Sequence, residues 1–517
     1  MIRAFTLKTI SMSLLTCSVA TLTIADMPAY AAATADADND GEIIVTAQKR
    51  VERLQDTPVP VTALSASALV ERNQTRLQDY FAQVPGLSLN AQGDGTTVII
   101  LRGIATANFG NPTVAVSVDD VPYGSSTALA GGQLLQPDLD PADLQRIEVL
   151  RGPQGTLYGA SSLGGLIKYV TTDPSTTELS GRVQGDFNAT QDGGIGYGVR
   201  DSVNVPINEK FALRATGFSR RTAGYVDNVF TGKDDVNALD ARGGRISLLW
   251  KPTETLSIKL GALHQYSHGH GASLVTTDVN KRLTLGDLNQ SLLPGSGSFK
   301  SKSTLFTGNI DLDLDWADLK SVTGYGRNSY FSGSDYSRLY ASFTPSSVLY
   351  NDMKTRKFTQ EIRLSSPADQ TLEWLVGGFY THERSPVTQI LDAVDGTTAA
   401  TASNLLTAYF PTTYNEISVF GDVTYHVTQA FNVQVGARYS HNKQGYDEVD
   451  TGPLGEAAPG VPFVTSASSK DHAITFLVVP QYKFSRHAPT AILPENSRWF
   501  FTVWRAHASS HRQRRRS

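Results

Sequence analysis

From residue 179 onward, polar and apolar residues alternate in short stretches separated by connections of two kinds. A period of two is typical of β-strands whose two faces meet different surroundings. We predict about twelve such strands up to residue 484, taking the roughly ten-residue strands of membrane barrels as the template. Examples are residues 182–189, 212–219, 245–250, 257–264, 309–314 and 418–425.

The connections between these strands follow a regular order. Five are short and turn-like, at residues 206–208, 252–254, 315–317, 367–369 and 427–429. Five others are long and polar, at residues 221–242, 268–302, 330–355, 383–413 and 444–469, and they alternate with the short ones. Trp250, Trp316 and Trp374 each lie beside a short connection, which places them at one rim. Short turns, long loops and one aromatic rim together predict a transmembrane β-barrel.

The start of the chain indicates export. Arg3 and Lys8 precede an apolar run at residues 10–25, and residues 29–31 have the small-x-small pattern of a signal peptidase site. Residues 1–31 are therefore predicted to be a signal peptide. This run is a poor transmembrane helix, and no later stretch supplies the ~20 apolar residues that a spanning helix requires. Insertion into a membrane would then have to use a β-barrel.

Composition excludes several classes of protein. Cys17, the one cysteine, lies within the predicted signal, so the exported chain would have no disulfide and no thiolate nucleophile. A lipoprotein anchor at Cys17 is an alternative, although residues 14–16 match such an anchor poorly. The 45 basic and 49 acidic residues nearly balance, so no nucleic-acid partner is expected. Catalytic signatures are missing from the sequence. We predict no enzyme activity, no cofactor and no metal centre.

Residues 143–171 form the most distinctive segment, DLQRIEVLRGPQGTLYGASSLGGLIKYVT. Charged and apolar residues alternate at 146–150, which predicts a strand, and a second strand is predicted at 166–170. The glycines and Pro153 between them predict tight turns rather than a helix. A phosphate-binding loop is excluded, because Gly165 stands where the lysine of such a loop must be.

This segment strongly resembles the signature of the plug domain in TonB-dependent outer-membrane receptors. Other pieces match the same family in order: a predicted helix at 69–81, strands at 98–101 and 114–118, and barrel-like stretches at 358–364 and 374–380. The resemblance implies a mainly β protein, with an N-terminal α+β plug domain at 57–173 followed by an antiparallel transmembrane β-barrel. It assigns plug-motif positions to Arg102, Gly103, Arg146, Glu148, Arg151, Gly152, Pro153, Gly155, Gly159, Gly164 and Gly165.

The charged members of this motif need partners if they are buried. Two interpretations remain open for Arg102, Arg146, Glu148 and Arg151. They could hold the plug to the barrel wall, or they could be satisfied inside the plug.

The segment before the plug resembles a TonB box, the peptide that binds the energy-transducing protein TonB of the inner membrane. Its residues are Glu42, Ile43, Ile44, Val45, Thr46 and Ala47, within a predicted flexible tether at 32–56. A short β-branched segment on a tether suits strand addition to a partner's sheet. The alternative is a first plug strand that simply packs internally.

The resemblance ends at about residue 485. Family barrels have 22 strands, whereas about twelve are predicted here, at 179–485, and barrel diameter grows with strand number. Residues 486–517 show no period-two pattern and include the basic run 514–516. We therefore expect a C-terminally truncated receptor with an unrelated, disordered tail. A basic extension that binds polyanions is the alternative.

The resemblance implies TonB-dependent import of a ferric siderophore or another metal chelate across the outer membrane of a Gram-negative bacterium. Expected partners are TonB, outer-membrane lipid, the barrel-assembly machinery and the nutrient ligand. His264, His268 and His270 are candidate ligand-binding residues, since imidazole is a common metal ligand. The alternatives are a signalling or adhesion barrel without transport, and a receptor fragment without function.

Overall fold

The computed structural model describes residues 43–106, 110–132, 134–135, 137, 139–483 and, for the backbone alone, 506–508. The predicted signal peptide, Cys17, Glu42 and nearly all of the predicted tail lie outside these residues. Within them, no helix is long and apolar enough to cross a membrane.

The N-terminal part of the described chain is a small α+β domain. Its strands are Ile44–Val45 (β1), Glu52–Arg53 (β2), Val61–Ser65 (β3), Leu87–Ala91 (β4), Thr97–Leu101 (β5), Val114–Val118 (β6), Val121–Pro122 (β7), Leu144–Arg151 (β8) and Gly165–Thr171 (β9). Its helices are Ala66–Glu71 (α1), Leu77–Tyr80 (α2) and Gly155–Tyr158 (α3), with 3₁₀ turns at Phe81–Gln83 and Pro141–Asp143. A five-stranded sheet has the order β3-β8-β9-β6-β7. Residues 57–173 are called the plug below.

The plug is held together by apolar side chains from the middle of its sheet. Ile147 and Val149 of β8 pack with Ile167 and Tyr169 of β9, and each of the four is at most 1% exposed. These are the two strands predicted from the glycine-rich segment. Burial of four large side chains contributes about 6 to 12 kcal/mol, which stabilises the plug sheet.

The prediction of one continuous helix at 69–81 is wrong, because the structure has two short helices in this region. The chain forms α1, leaves helical geometry at Asn73, whose φ is 54°, and starts again at α2. The Asp79 carboxylate accepts hydrogen bonds from the backbone N–H groups of Thr75 (3.0 Å) and Arg76 (2.8 Å). These bonds cap a new helix start and compete with continuation of the first helix.

The glycine-rich segment also differs from the prediction, because it contains one helical turn, α3. The tight turns lie on either side of it, at Gly152 (φ 98°) and Gly159 (φ 75°). At Gly165 (φ 150°), a Cβ would lie 2.2 Å from the carbonyl oxygen of Leu150. Glycine is required there because β8 and the start of β9 approach so closely.

Residues 180–482 form an antiparallel sheet, called the wall below. Its strands are Ser180–Ala189 (β10), Ile195–Asn208 (β11), Phe211–Thr222 (β12), Leu239–Trp250 (β14), Leu256–Gly269 (β15), Phe299–Asp313 (β17), Asp318–Asp335 (β18), Ser347–Ser365 (β19), Leu372–Ser385 (β20), Val387–Val394 (β21), Thr401–Tyr409 (β22), Thr412–His426 (β23), Phe431–Thr451 (β24) and Val461–Tyr482 (β26). The short strands Asp227–Asn228 (β13), Asn289–Gln290 (β16), Glu456–Ala458 (β25) and Ala506–Ala508 (β27) lie in the connections or pair with an edge. Twelve wall strands have at least ten residues, as expected.

Three of the predicted long connections are mostly strand. The predicted loop at 383–413 contains the hairpin β21–β22, and much of 330–355 and 444–469 belongs to β18, β19, β24 and β26. The backbone ladder continues here although the hydropathy alternation fades. Alternation reports only where the two faces differ, so it misses strand segments that are polar on both faces.

The wall has an inverted distribution of polarity. On β19, Glu361 and Arg363 are 6% and 5% exposed and face the plug, whereas Ile362 between them is 51% exposed. Ser418 of β23 is likewise buried between Ile417 and Val419, which are exposed. A water-soluble sheet would bury its apolar face. A polar interior and an apolar exterior are typical of a membrane barrel.

The tryptophans lie at one rim, as predicted. Trp316 lies in one turn of the wall and Trp374 near the start of β20, after a different turn, yet their ring centroids are 6.4 Å apart. Trp250 stacks on Phe211 of the neighbouring strand at 5.6 Å. This rim is called the turn side below, and the opposite end is called the loop side.

The wall has two edge strands. In the part of the chain that the structure describes, β10 pairs with β11 alone, and β26 pairs with β24, β25 and β27. No pairing joins β10 to β26 among these residues, so the described wall is an open sheet curved around the plug.

Candidate functional site at the plug–wall interface

The segment predicted to be a TonB box, of which residues 43–47 are described, lies against the plug. Val45 and Ala47 are 0% and 1% exposed, whereas Ile43 and Ile44 are 47% and 38% exposed. β1 pairs antiparallel with β2, and no strand of the described chain pairs with its other edge. The segment thus has both properties that the sequence left open: it packs internally, and it keeps an open edge.

Thr46 is the point at which this segment is tied to the plug core. Its N–H donates to the Glu148 carboxylate at 2.9 Å, and its hydroxyl donates to the same group at 3.2 Å. Its carbonyl accepts hydrogen bonds from the Lys168 ammonium at 3.1 Å and the Tyr158 hydroxyl at 3.3 Å. Release of the segment would break these polar contacts and would also expose Val45 and Ala47, which pack in an apolar cluster with the plug residues Leu150 and Leu166.

The two residues after Gln48 reach the wall. The Lys49 ammonium lies 2.5 Å from the Glu361 carboxylate and over the rings of Tyr158 and Phe420, at 5.0 and 4.7 Å. Burial lowers the pKa of Lys49 from 10.5 to about 8, against the opposing effect of Glu361. Arg50 pairs with Glu373 at 2.9 Å. The N-terminal segment, residues 43–50, therefore joins the plug to the wall.

A large polar cavity opens beside this segment on the turn side. Its volume is about 1170 Å³, and its lining includes Ile44, Thr46 and Lys49 as well as the turn residues Thr255 and Ala368. Glu52 also lines it, and burial raises the pKa of that carboxyl to about 8, although Arg50 opposes the shift. A partner that approached from the turn side would meet the segment here.

Two of the four charged plug-motif residues, Arg146 and Glu148, pair with each other inside the plug. Glu148, which is 0% exposed, pairs with Arg146 at 2.7 Å on the same strand. Burial and the neighbouring positive charge of Arg102 lower the pKa of Arg151, whose Nε is buried without a hydrogen-bond partner among the described residues. Of the two interpretations, the geometry favours the internal one for Arg146 and Glu148.

Other acidic groups of the plug hold it to the wall. Asp120 contacts Lys168 of the plug at 2.5 Å and Arg363 of the wall at 3.0 Å. Burial opposes its ionisation, but Lys168 and Arg363 hold the pKa of Asp120 well below its usual range.

Two further aspartates act in the same way nearer the other edge of the plug. Asp140 pairs with Arg200 at 2.9 Å and Arg220 at 3.3 Å, and Asp143 pairs with Arg245 and, at 3.4 Å, with Arg214. The sequence analysis did not single out any of these residues. The available signal was the alternation itself, because charges at the inward positions of a wall strand must face a polar partner.

On the loop side the plug packs against the wall with apolar contacts. Ala130, fully buried, clusters with Tyr330, Met353 and Phe410 of the wall. A cavity of about 160 Å³ beside this cluster is lined by Met353, Phe410, Tyr446 and other residues. A ligand arriving from the loop side would reach this region first.

The candidate histidines do not face the plug. His264 and His268 lie on the outer face of β15, since the intervening Gln265 and Ser267 are the buried residues. The His264 ring bonds Thr304 at 2.8 Å, and His270 bonds Asp240 at 2.6 Å. Among the described residues, no three His, Cys, Asp or Glu side chains could hold a metal ion. A role for these histidines in ligand binding stays a prediction.

Comparisons with known proteins agree on the family. Residues 53–166 match the TonB-dependent Receptor Plug Domain. The chain is 28% identical to the pesticin receptor of Yersinia pestis over 432 residues, which cover 81% of this chain and 58% of that receptor. It is 31% identical to the hemin receptor of Yersinia enterocolitica over 194 residues, or 35% of this chain and 26% of that one. The chain therefore spans less than two thirds of the pesticin receptor.

Solved structures share the fold. The ferric yersiniabactin uptake receptor FyuA of Yersinia pestis superposes with a TM-score of 0.69 at 22% identity, covering 83% of this chain and 63% of that one. The ferric-catecholate import receptor Fiu of Escherichia coli K12, in its open form, superposes with a TM-score of 0.64 at 17% identity, covering 84% and 69%.

Proposed function

We propose that this chain, a TonB-dependent receptor of the Gram-negative outer membrane, serves the import of an iron chelate with energy supplied by TonB. The relatives described above are named for pesticin, hemin, ferric yersiniabactin and ferric catecholates. Their names favour a ferric siderophore or haem as the cargo. The turn side would face the periplasm, and the loop side would face the medium.

The observation that carries the proposal is the open edge of β1 beside the turn-side cavity. Strand addition to that edge would give TonB a grip on residues 43–47 through backbone hydrogen bonds. Pulling would break the Thr46–Glu148 contacts first and the Lys49–Glu361 pair next, because these lie in order along the segment. The plug would thereby lose one of its attachments to the wall.

The test is iron uptake in a host that lacks its own ferric siderophore receptors. The full chain is expressed with and without TonB, and radioactive iron is offered on catecholate, phenolate and hydroxamate chelators and as haem. We expect the cells to accumulate iron from one chelator class, and only when TonB is present. Ile44→Pro should abolish uptake because it removes a backbone donor, whereas the control Ile44→Thr keeps the backbone and should retain it.

Three results would contradict the proposal. Uptake that persisted without TonB would show that TonB does not supply the energy for import. A chain that reached the outer membrane as a heat-modifiable band yet imported none of the chelators would favour a signalling or adhesion barrel. If no heat-modifiable band formed at all, the alternative of a non-functional fragment would be supported instead.

A further inference from the structure

Three arginines stand side by side on the outer face of the wall. Arg327 of β18 pairs directly with Arg356 of β19, and Arg356 pairs directly with Arg384 of β20. All three are exposed, and the neighbours Thr355 and Glu383 are the buried residues that face the plug. The guanidinium groups of this arginine row therefore point away from the plug.

Such an arrangement is unfavourable without a counter-charge. Directly opposed residues have Cβ atoms about 5 Å apart, and like charges at that separation destabilise a sheet. In the part of the chain that the structure describes, neither Arg356 nor Arg384 makes a hydrogen bond or an ion pair. Arg327 contacts the Tyr325 hydroxyl at 3.1 Å, which supplies no charge. The row has the composition of a site that an external anion would fill.

A second row of cations lies two residues further toward the loop side. Arg242, Tyr266, Lys302, Ser329 and Lys354 are in direct register across five strands. Arg242 and Lys302 lie over the Tyr266 ring, at 5.3 and 5.9 Å from its centroid. Lys354 pairs with Asp352 at 2.8 Å, and this carboxylate neutralises one charge of the upper row. The two rows together still carry an excess of positive charge.

An aromatic row lies just below the arginines. Phe306, Tyr325 and Phe358 are in register across β17, β18 and β19, two residues nearer the turn side. Tyr325 is nine residues from Trp316 along the chain. Seven of these nine steps lie in β18 and two in the turn before it, so the length is at most about 31 Å along the strand, or about 24 Å of height at a strand tilt of ~40°. The apolar band of an outer-membrane barrel is about 25 Å tall, with an aromatic girdle at each border.

We propose that the arginine row and the upper row form a binding site for the phosphate groups of an outer-leaflet glycolipid, the lipid A part of lipopolysaccharide. The inference rests on the membrane location given under Proposed function, but not on TonB or on transport. The rows begin where the aromatic border ends, so they lie at the level of the headgroups. Arginine binds phosphate through two parallel hydrogen bonds, and the aromatic row below offers a surface for acyl chains.

The test measures binding of purified lipid A to the full chain in detergent. Bis-phosphorylated lipid A is titrated against the wild type and against Arg356→Gln/Arg384→Gln, and lipid that co-purifies is quantified as phosphate per protein. We expect the double variant to bind about 30-fold more weakly, as for two basic side chains beside anionic headgroups. The matched control is Lys210→Gln/Lys251→Gln, which removes the same charge from exposed positions at the turn side and should bind like the wild type.

Several outcomes would overturn the site. Equal affinity of the wild type and Arg356→Gln/Arg384→Gln would do so, as would an equal loss in the turn-side control, which would indicate a general effect of charge. Inorganic phosphate is tested as a competitor of lipid A binding. If it bound as strongly as lipid A, the rows would be a site for free anions rather than for lipid. A heat-modifiable band from each variant excludes misfolding. Because uptake is not measured, failure here and failure of the proposed import are distinguishable.

Discussion

Glu148 is the residue on which docking of the N-terminal segment depends most directly. Glu148→Ala would leave the Thr46 N–H and the Arg146 guanidinium without their acceptor. Loss of charge-assisted bonds of this kind costs about 2 kcal/mol, so we expect the released fraction to rise about 30-fold. A spin label at Ile43→Cys, an exposed position, reports the mobile fraction. Glu148→Gln keeps an acceptor oxygen but loses the charge, so its released fraction should lie between those of the wild type and Glu148→Ala. An unchanged spectrum for Glu148→Ala would contradict this assignment.

Lys49 should make docking depend on pH. Its pKa is lowered from 10.5 to about 8 when docked, so between these values the released segment binds more protons than the docked one. Docking of the N-terminal segment should therefore become more favourable as the pH rises from about 8 to about 10.5. Well below pH 8 Lys49 is protonated in both states, so it gives docking no pH dependence there. The same Ile43→Cys label, followed from pH 7 to 10.5, measures it. Lys49→Met should remove the dependence; a variant that kept the full slope would assign it to another group.

At the scale of the element, the turn between α3 and β9 depends on one glycine. Gly165→Ala would drive a methyl group against the Leu150 carbonyl, whereas at Gly103 (φ 73°) no atom lies within 4 Å of a Cβ. Both substitutions carry the strain of a positive φ, about 1 kcal/mol, but only Gly165→Ala adds a backbone clash. Limited proteolysis of the folded chain should cleave the plug far faster in Gly165→Ala than in Gly103→Ala. Equal rates would mean that β8 and β9 can separate at little cost.

The elements that sequence predicted well are those with one strong local signal. Strand β8 follows from alternating charged and apolar residues, β6 and β9 follow from short apolar segments, and the wall follows from alternation. The single helix predicted at 69–81 is two helices, α1 and α2, and the local capping of residues 75 and 76 by Asp79 separates them. The plug–wall pairs were missed because their members are distant in sequence: Asp140 and Arg200 are sixty residues apart.

At the scale of the whole molecule, the seating of the plug depends on buried ion pairs. Asp140→Asn would leave Arg200 and Arg220, 3% and 5% exposed, without a shared counter-charge. Breaking such a buried pair costs about 3 kcal/mol. Plug release in urea is measured by hydrogen exchange. We expect its urea midpoint to be clearly lower for Asp140→Asn than for the wild type, and unchanged for the exposed control Asp201→Asn. Equal urea midpoints for the two variants would indicate that the apolar contacts on the loop side, rather than these ion pairs, hold the plug in the wall.

The height of the apolar band on the wall also has a consequence for where the protein is stable. A span of about 24 Å is shorter than the ~30 Å hydrocarbon core of an average bilayer. Around such a protein a thicker bilayer must thin, at a cost of a fraction of a kcal/mol for each ångström of mismatch. Bacterial outer membranes are thinner than average. The spacing between the tryptophan rim and the aromatic row thus makes a thin membrane the more stable location. The elastic cost of deforming a thicker bilayer is enough for this preference, without recognition of a targeting signal.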